Sequence, residues 1–310
     1  MYNVPNDDYK KFRRNAFFEL LGTEEYVDGA TDYCLLPLFA EEFDLSLEQK
    51  LWLCYLYGMS YSQTTAMRFQ KDFPTVDSVV PSKLKEFWRK NKESLWFNPD
   101  KKYLKNNDQV VPAIKSLYLV SGGNLENYLV PILKNGFDYT YKEIQEKWRF
   151  FGPHGAYLFF DALYGLCPDL YSDPENLDWK HCGKTVTDGM AHLLYRDDCV
   201  GTEQHDFEYY NKIVNKIQKS SGRPKVIIES TLCAFRKLFK QTRYAGFYAD
   251  RMLEECYSTE QYLKPMGINV WKYRKKAIPE QFLGELHNWK GVRKELCQLF
   301  MKKGVITEDI

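Results

Sequence analysis

Residues 46–70 read SLEQKLWLCYLYGMSYSQTTAMRFQ, and the spacing of their apolar positions sets the fold class. Ser46, Leu47, Glu48 and Gln49 make a capping box, in which the serine side chain accepts from the backbone three residues on and the glutamine reaches back. Leu47, Leu51, Cys54 and Tyr57 then recur at intervals of three and four, the mark of one helical face. Gly58 is expected to end that helix, and Ser60 or Ser62 to cap a second one running to about Gln70. The local unit is helix, glycine-containing turn, helix.

The same period runs outward in both directions. Residues 1–44 read as helix and loop, and further helices are expected at 81–93, 109–120, 124–134, 140–150, 154–166, 183–195 and 205–220. Segment 169–180, DLYSDPENLDWK, is too rich in turn formers for a helix. SSGRP at 220–224 is the best break in the chain. It separates an N-terminal helical region, 1–221, from a basic C-terminal helical region, 222–310, the two expected to pack together as one catalytic unit. VIIES at 226–230 suits a short strand or the entry to a helix. Thr231–Phe239, a QTR connection and Tyr244–Cys256 then form a second helix–turn–helix unit. Almost nothing alternates with period two, so the expected fold is all-α.

A hydrophobic share of 44% with 27% charged residues suits a packed core and excludes wholesale disorder. The 23 Tyr, 20 Phe and 7 Trp either fill that core or supply base-stacking faces. No run of about 18 apolar residues occurs, which argues against a membrane partner. The opening MYNVPNDDYKKFRRN has no apolar signal core. The 8 cysteines are scattered without a CxxC pair, so they read as reduced thiols of a cytoplasmic protein, and no metal site is expected. Walker, dinucleotide-fold, zinc-protease, hydrolase-elbow and zinc-deaminase signatures are all missing.

The net charge of +1 conceals an asymmetry. Residues 222–303 hold 17 Lys and Arg against 8 Asp and Glu, whereas residues 1–221 are net acidic. Such a segment is either a polyanion-binding face or a solvated charged surface. Within it lie three basic-aromatic clusters: ESTLCAFRKLFKQTRYAGFYADRMLEE (229–255), WKYRKKAIPE (271–280) and NWKGVRKEL (288–296).

Four stretches, LWLCYLYGMSYSQTTAM (51–67), FGPHGAYLFFDALY (151–164), 229–255 and WKGVRKE (289–295), resemble those of phage amino acid:DNA transferases. That family is also described as α-glutamyl/putrescinyl thymine pyrophosphorylases, distant relatives of helix–hairpin–helix DNA glycosylases. The resemblance implies a DNA-glycosylase-like helical fold with helix–hairpin–helix units. It also implies transfer of a free amino acid or polyamine onto the 5-methylene of diphosphate-activated 5-hydroxymethyluracil in double-stranded DNA, with pyrophosphate displaced and no cofactor. If the protein is phage-encoded, it works in the cytoplasm of the bacterial host.

Such chemistry has definite needs. A diphosphate leaving group and an amino-acid carboxylate both call for guanidinium donors, which suggests Arg236, Arg243 and Arg251. The attacking amine must lose a proton, which suggests Asp250 or Glu229 as general base. An extruded base needs aromatic partners, for which Tyr244, Tyr248 and Tyr57 are candidates. Lys237, Lys240, Lys290, Arg293 and Lys294 are expected to meet the DNA backbone. Two other readings remain open: a base-excising glycosylase of the helix–hairpin–helix type, which would use the acid with water, and a non-catalytic DNA-binding module.

Overall fold

The structure is a computed structural model that describes residues 14, 17, 18, 20, 21, 34–180, 182–239 and 247–278, with side chains throughout except at 238, 239 and 247–250. Among the described residues there is no strand, and the all-α expectation holds. Contacts divide the chain into two compact units, one of residues 1–31, 176–251 and 278–310 and the other of residues 32–175 and 252–277.

The second unit begins with α1 (Leu35–Glu42), α2 (Leu47–Ser60) and α3 (Gln63–Asp72). The capping box at Ser46 is present: Ser46 Oγ accepts from the Gln49 amide at 3.4 Å, and Gln49 Oε1 accepts from the Ser46 amide at 2.9 Å. Gly58 does not end α2. The helix continues to Ser60 and stops at Tyr61, whose φ of 50° closes it in the left-handed region. Gly58 instead serves a helix crossing, since a methyl there would lie 2.9 Å from Phe151 Cε1 and 3.0 Å from the Gly155 carbonyl oxygen. Ser62, rather than Ser60, caps α3 by accepting from the Thr65 amide at 3.1 Å.

The unit continues through α4 (Pro81–Asn91), α5 (Lys102–Asn106), α6 (Val110–Ser121), α7 (Leu125–Leu133), α8 (Phe137–Lys147) and α9 (Pro153–Leu166). Helix α8 begins earlier than the expected residue 140, because Gly136 turns at φ 89° and Phe137 stacks on Phe160 with ring centroids 4.0 Å apart. Helices α2 and α9 form the centre, where Trp52, Tyr55, Tyr57, Phe159 and Phe160 are fully enclosed. Tyr55 stacks on Phe151 with ring centroids 4.9 Å apart, so many of the aromatics are core.

In the first unit, α10 (Lys184–Leu193), α11 (Phe207–Ser221) and α12 (Lys225–Phe239) pack together. VIIES belongs to α12 and not to a strand. Gly222, at φ 69°, does end α11, but α11 and α12 pack on each other inside one unit. The turn at 220–224 joins neighbouring helices. Helix α13 (Phe247–Leu263) follows and, from residue 252 on, belongs with α14 (Val270–Ala277) to the second unit.

Candidate functional site

Helix α12 carries the expected reactive residues on one stripe. Val226, Ile227, Ile228, Thr231, Leu232, Ala234 and Phe235 are buried, whereas Glu229, Cys233, Arg236 and Lys237 lie on the more open side. The stripe follows from helical spacing, with steps of four, three and one. Helix α10 approaches α12 so closely that a methyl on Gly189 would overlap the Leu232 carbonyl. Only glycine permits this contact, and it brings the neighbouring Asp188 against the stripe.

Asp188 is one of the most deeply enclosed charges in the chain, with its side chain 1% exposed. Its Oδ2 accepts from Arg236 Nε at 2.9 Å and its Oδ1 from the Gly201 amide at 2.8 Å. Arg236, expected to hold a substrate anion, is therefore anchored internally through Nε. Its side chain keeps 19% exposure, and among the described residues its two terminal nitrogens make no hydrogen bond. A guanidinium steered by one carboxylate and open at its fork is a ready anion donor.

Glu229 lies about two helical turns before Lys237 on the same stripe. Burial pushes its carboxyl up to about 7, opposed by the Lys237 charge and by hydrogen bonds with Cys182 and Ser230. A carboxylate tuned near neutrality suits proton removal from an ammonium group.

Arg251 is half-buried on α13. Tyr248 and Asp250 fall on the first turn of α13, with side chains outside the described set. Lys240, Arg243, Tyr244, Lys290, Arg293 and Lys294 lie outside the described residues.

The second unit holds a different cluster around the C-terminus of α2. Tyr57, expected to meet a base, is fully enclosed, and its ring makes an edge contact with Tyr61 at 5.9 Å. Tyr61 in turn meets the His154 ring edge-on at 5.5 Å. Ser62, Gln63, Thr64 and Thr65 are each 1% exposed, an uncommon run of buried polar residues. Glu255, on α13, satisfies Ser62 and Thr64: its Oε1 accepts from Ser62 Oγ at 2.6 Å and from the Thr64 amide and hydroxyl, both at 2.7 Å. Burial raises the Glu255 pKa against these hydrogen bonds.

One other expectation changes. In the cluster 271–280, Lys272 pairs with Glu42 at 2.5 Å and Lys276 with Glu41 at 3.0 Å, while Arg274 is buried. This cluster holds α14 on α1, so its positive charge is largely matched within the unit. A separate cleft of about 590 Å³ is lined by Lys85, Trp88, Lys115, Leu119 and Arg149, residues to which the sequence pattern drew no attention. Among the described residues no group of three His, Cys, Asp or Glu could hold a metal ion. Cys54, Cys167 and Cys256 are buried, and burial raises their thiol pKa values, that of Cys167 to about 12. No described helix is long and apolar enough to cross a membrane.

The chain is similar to a serinyltransferase of Salmonella phage ViI, with 24% identity over an alignment covering 84% of this chain and 71% of the relative. No family model and no solved structure matches it.

Proposed function

We propose that the chain is an amino-acid transferase acting on DNA. It moves the amine of an amino acid or polyamine onto the 5-methylene carbon of a diphosphate-activated 5-hydroxymethyluracil. The similarity to a phage serinyltransferase supports the transferase class and makes serine the first amino acid to test. The observation that carries the reading is the α12 stripe, where a carboxyl tuned near neutrality shares one helical face with an arginine open at its fork.

Glu229 takes a proton from the substrate ammonium, freeing the nitrogen lone pair. The nitrogen attacks the methylene carbon as the carbon–oxygen bond to diphosphate breaks, and pyrophosphate leaves with the bonding pair. Arg236, aimed by Asp188, meets the charge that builds on the leaving oxygens. Arg243 and Arg251 serve the same anion or the amino-acid carboxylate, with Asp250 a second candidate base. Tyr244 and Tyr248 meet the extruded base. Lys237, Lys240, Lys290, Arg293 and Lys294 grip the duplex backbone.

The test is mass spectrometry of nucleosides after the protein meets double-stranded DNA bearing diphosphorylated 5-hydroxymethyluracil and a mixture of amino acids. An adduct on the base, with pyrophosphate released in equal amount, is expected. Alkali-labile abasic sites without an adduct would replace the transferase by a glycosylase, and DNA binding without any product would leave a binding module.

A further inference from the structure

Lys101 carries an ammonium in a place where the folded chain gives it little reason to be. The residue is 3% exposed, and among the described residues no carboxylate lies within ion-pair distance of its Nζ. Its position is tightly set. The Thr65 hydroxyl donates to the Trp96 carbonyl, Phe97 is buried, and the Asn98 amide donates to the Ser60 carbonyl at 3.4 Å. The following short helical turn, Pro99–Lys101, is capped by the Asn98 side chain. The chain is thereby pinned across the end of α2, with Lys101 delivered inward.

What the ammonium meets is the first turn of α9. A methyl on Gly155 would stand 3.0 Å from Lys101 Nζ, and the Phe151 ring centroid is 5.9 Å away. Pro153 occupies the first turn of α9, and no side chain caps that end. The N-terminus of a helix is itself positive, so a buried cation there is disfavoured both by desolvation and by the helix dipole. Burial lowers the Lys101 pKa to about 8, with Asp100 opposing. Natural folds pair such a charge or omit it.

We infer that Lys101 and the uncapped first turn of α9 bind a small anionic group, a carboxylate or a phosphoryl, which supplies the ion-pair partner that the described residues do not. Glycine at 155 leaves room for the ammonium, and glycine at 58 lets α2 and α9 close beneath it. The inference does not depend on the transferase reading, and serine and pyrophosphate serve as probes for a carboxylate and a phosphoryl.

The test is calorimetric titration of the full chain at fixed ionic strength with inorganic pyrophosphate, L-serine and ethanolamine, the last being serine without its carboxylate. Binding of serine but not ethanolamine assigns a carboxylate, and binding of pyrophosphate assigns a phosphoryl. In either case Lys101→Met should weaken the anion about 10- to 100-fold, the worth of a charge-assisted hydrogen bond. Its melting temperature should hold or rise, because a buried unmatched charge has been removed. Should Lys101→Met fail to fold, Gly155→Ala keeps the lysine but crowds its Nζ, and it should weaken the same anion. Binding unchanged by both variants, or no anion bound at millimolar concentration, overturns the inference. Lys101-dependent anion binding without any nucleoside product would sink the transferase reading alone.

Discussion

One oxygen of Glu255 accepts both the amide and the hydroxyl of Thr64 at 2.7 Å, across 191 residues of chain. Together with Ser62 Oγ, these donors converge on a carboxylate at the buried start of α3, where the helix dipole favours negative charge. The contact ties two of the stretches that resemble the transferases, 51–67 and 229–255.

Glu255→Ala strands several buried donors and should lower stability by about 2–4 kcal/mol in urea unfolding. Glu255→Gln keeps an acceptor and should lose less. Equal stability of the alanine variant and the wild type would show that the donors find other partners.

Glu229 gives a pH prediction. Its folded pKa, about 7, stands above the ordinary carboxyl value. As a base it must be ionised, so product formation should rise with pH through about 7. Glu229→Gln should remove that limb and most of the rate. The linkage has the matching sign: the raised pKa favours folding at low pH, and that contribution fades as pH climbs from the ordinary carboxyl range through about 7. The glutamine variant should therefore show a flatter stability-against-pH curve over this window. A limb that persists in Glu229→Gln would move the base to Asp250.

Asp188 acts through Arg236. Asp188→Ala leaves the guanidinium without its anchor and the Gly201 amide without its acceptor, which should cost about 3–5 kcal/mol. Arg236→Lys retains charge but cannot offer a fork, so transfer should fall with little change in folding. A lysine variant with wild-type turnover would remove Arg236 from the chemistry.

Salt titration of DNA binding should be steep if backbone phosphates are met. Lys272→Ala and Lys276→Ala should leave the slope nearly as it was, because Glu42 and Glu41 already face these lysines. A slope reduced by about one per lysine removed would place α14 on the DNA.

The helices were legible because apolar residues at three- and four-residue spacing bury one face whatever the tertiary partner. The capping box and the loop at 169–180 followed from local hydrogen bonding and turn chemistry. Gly58 misled because a glycine needed for a close crossing looks in sequence like one that ends a helix. In the candidate site, Glu229 and Arg236 stood out by density of reactive types on one stripe. Asp188, Lys101 and Glu255 did not. Each lies in an ordinary-looking polar run, and its significance comes from burial against residues distant in sequence. For Asp188 the one local hint was the glycine beside it.

Synthesis on the ribosome exposes a consequence of the interrupted order of the units. Residues 32–175 emerge well before 252–277, yet the unit they build takes its closing pieces from that later segment. Until those residues appear, the polar run at Ser62–Thr65 has no Glu255, and Glu41 and Glu42 have no lysines from α14. Residues 176–251 must meanwhile leave the tunnel while the earlier unit is still open. A nascent chain halted before residue 252 should therefore remain sensitive to protease in its first half, and release of the following thirty or so residues should protect it in one step.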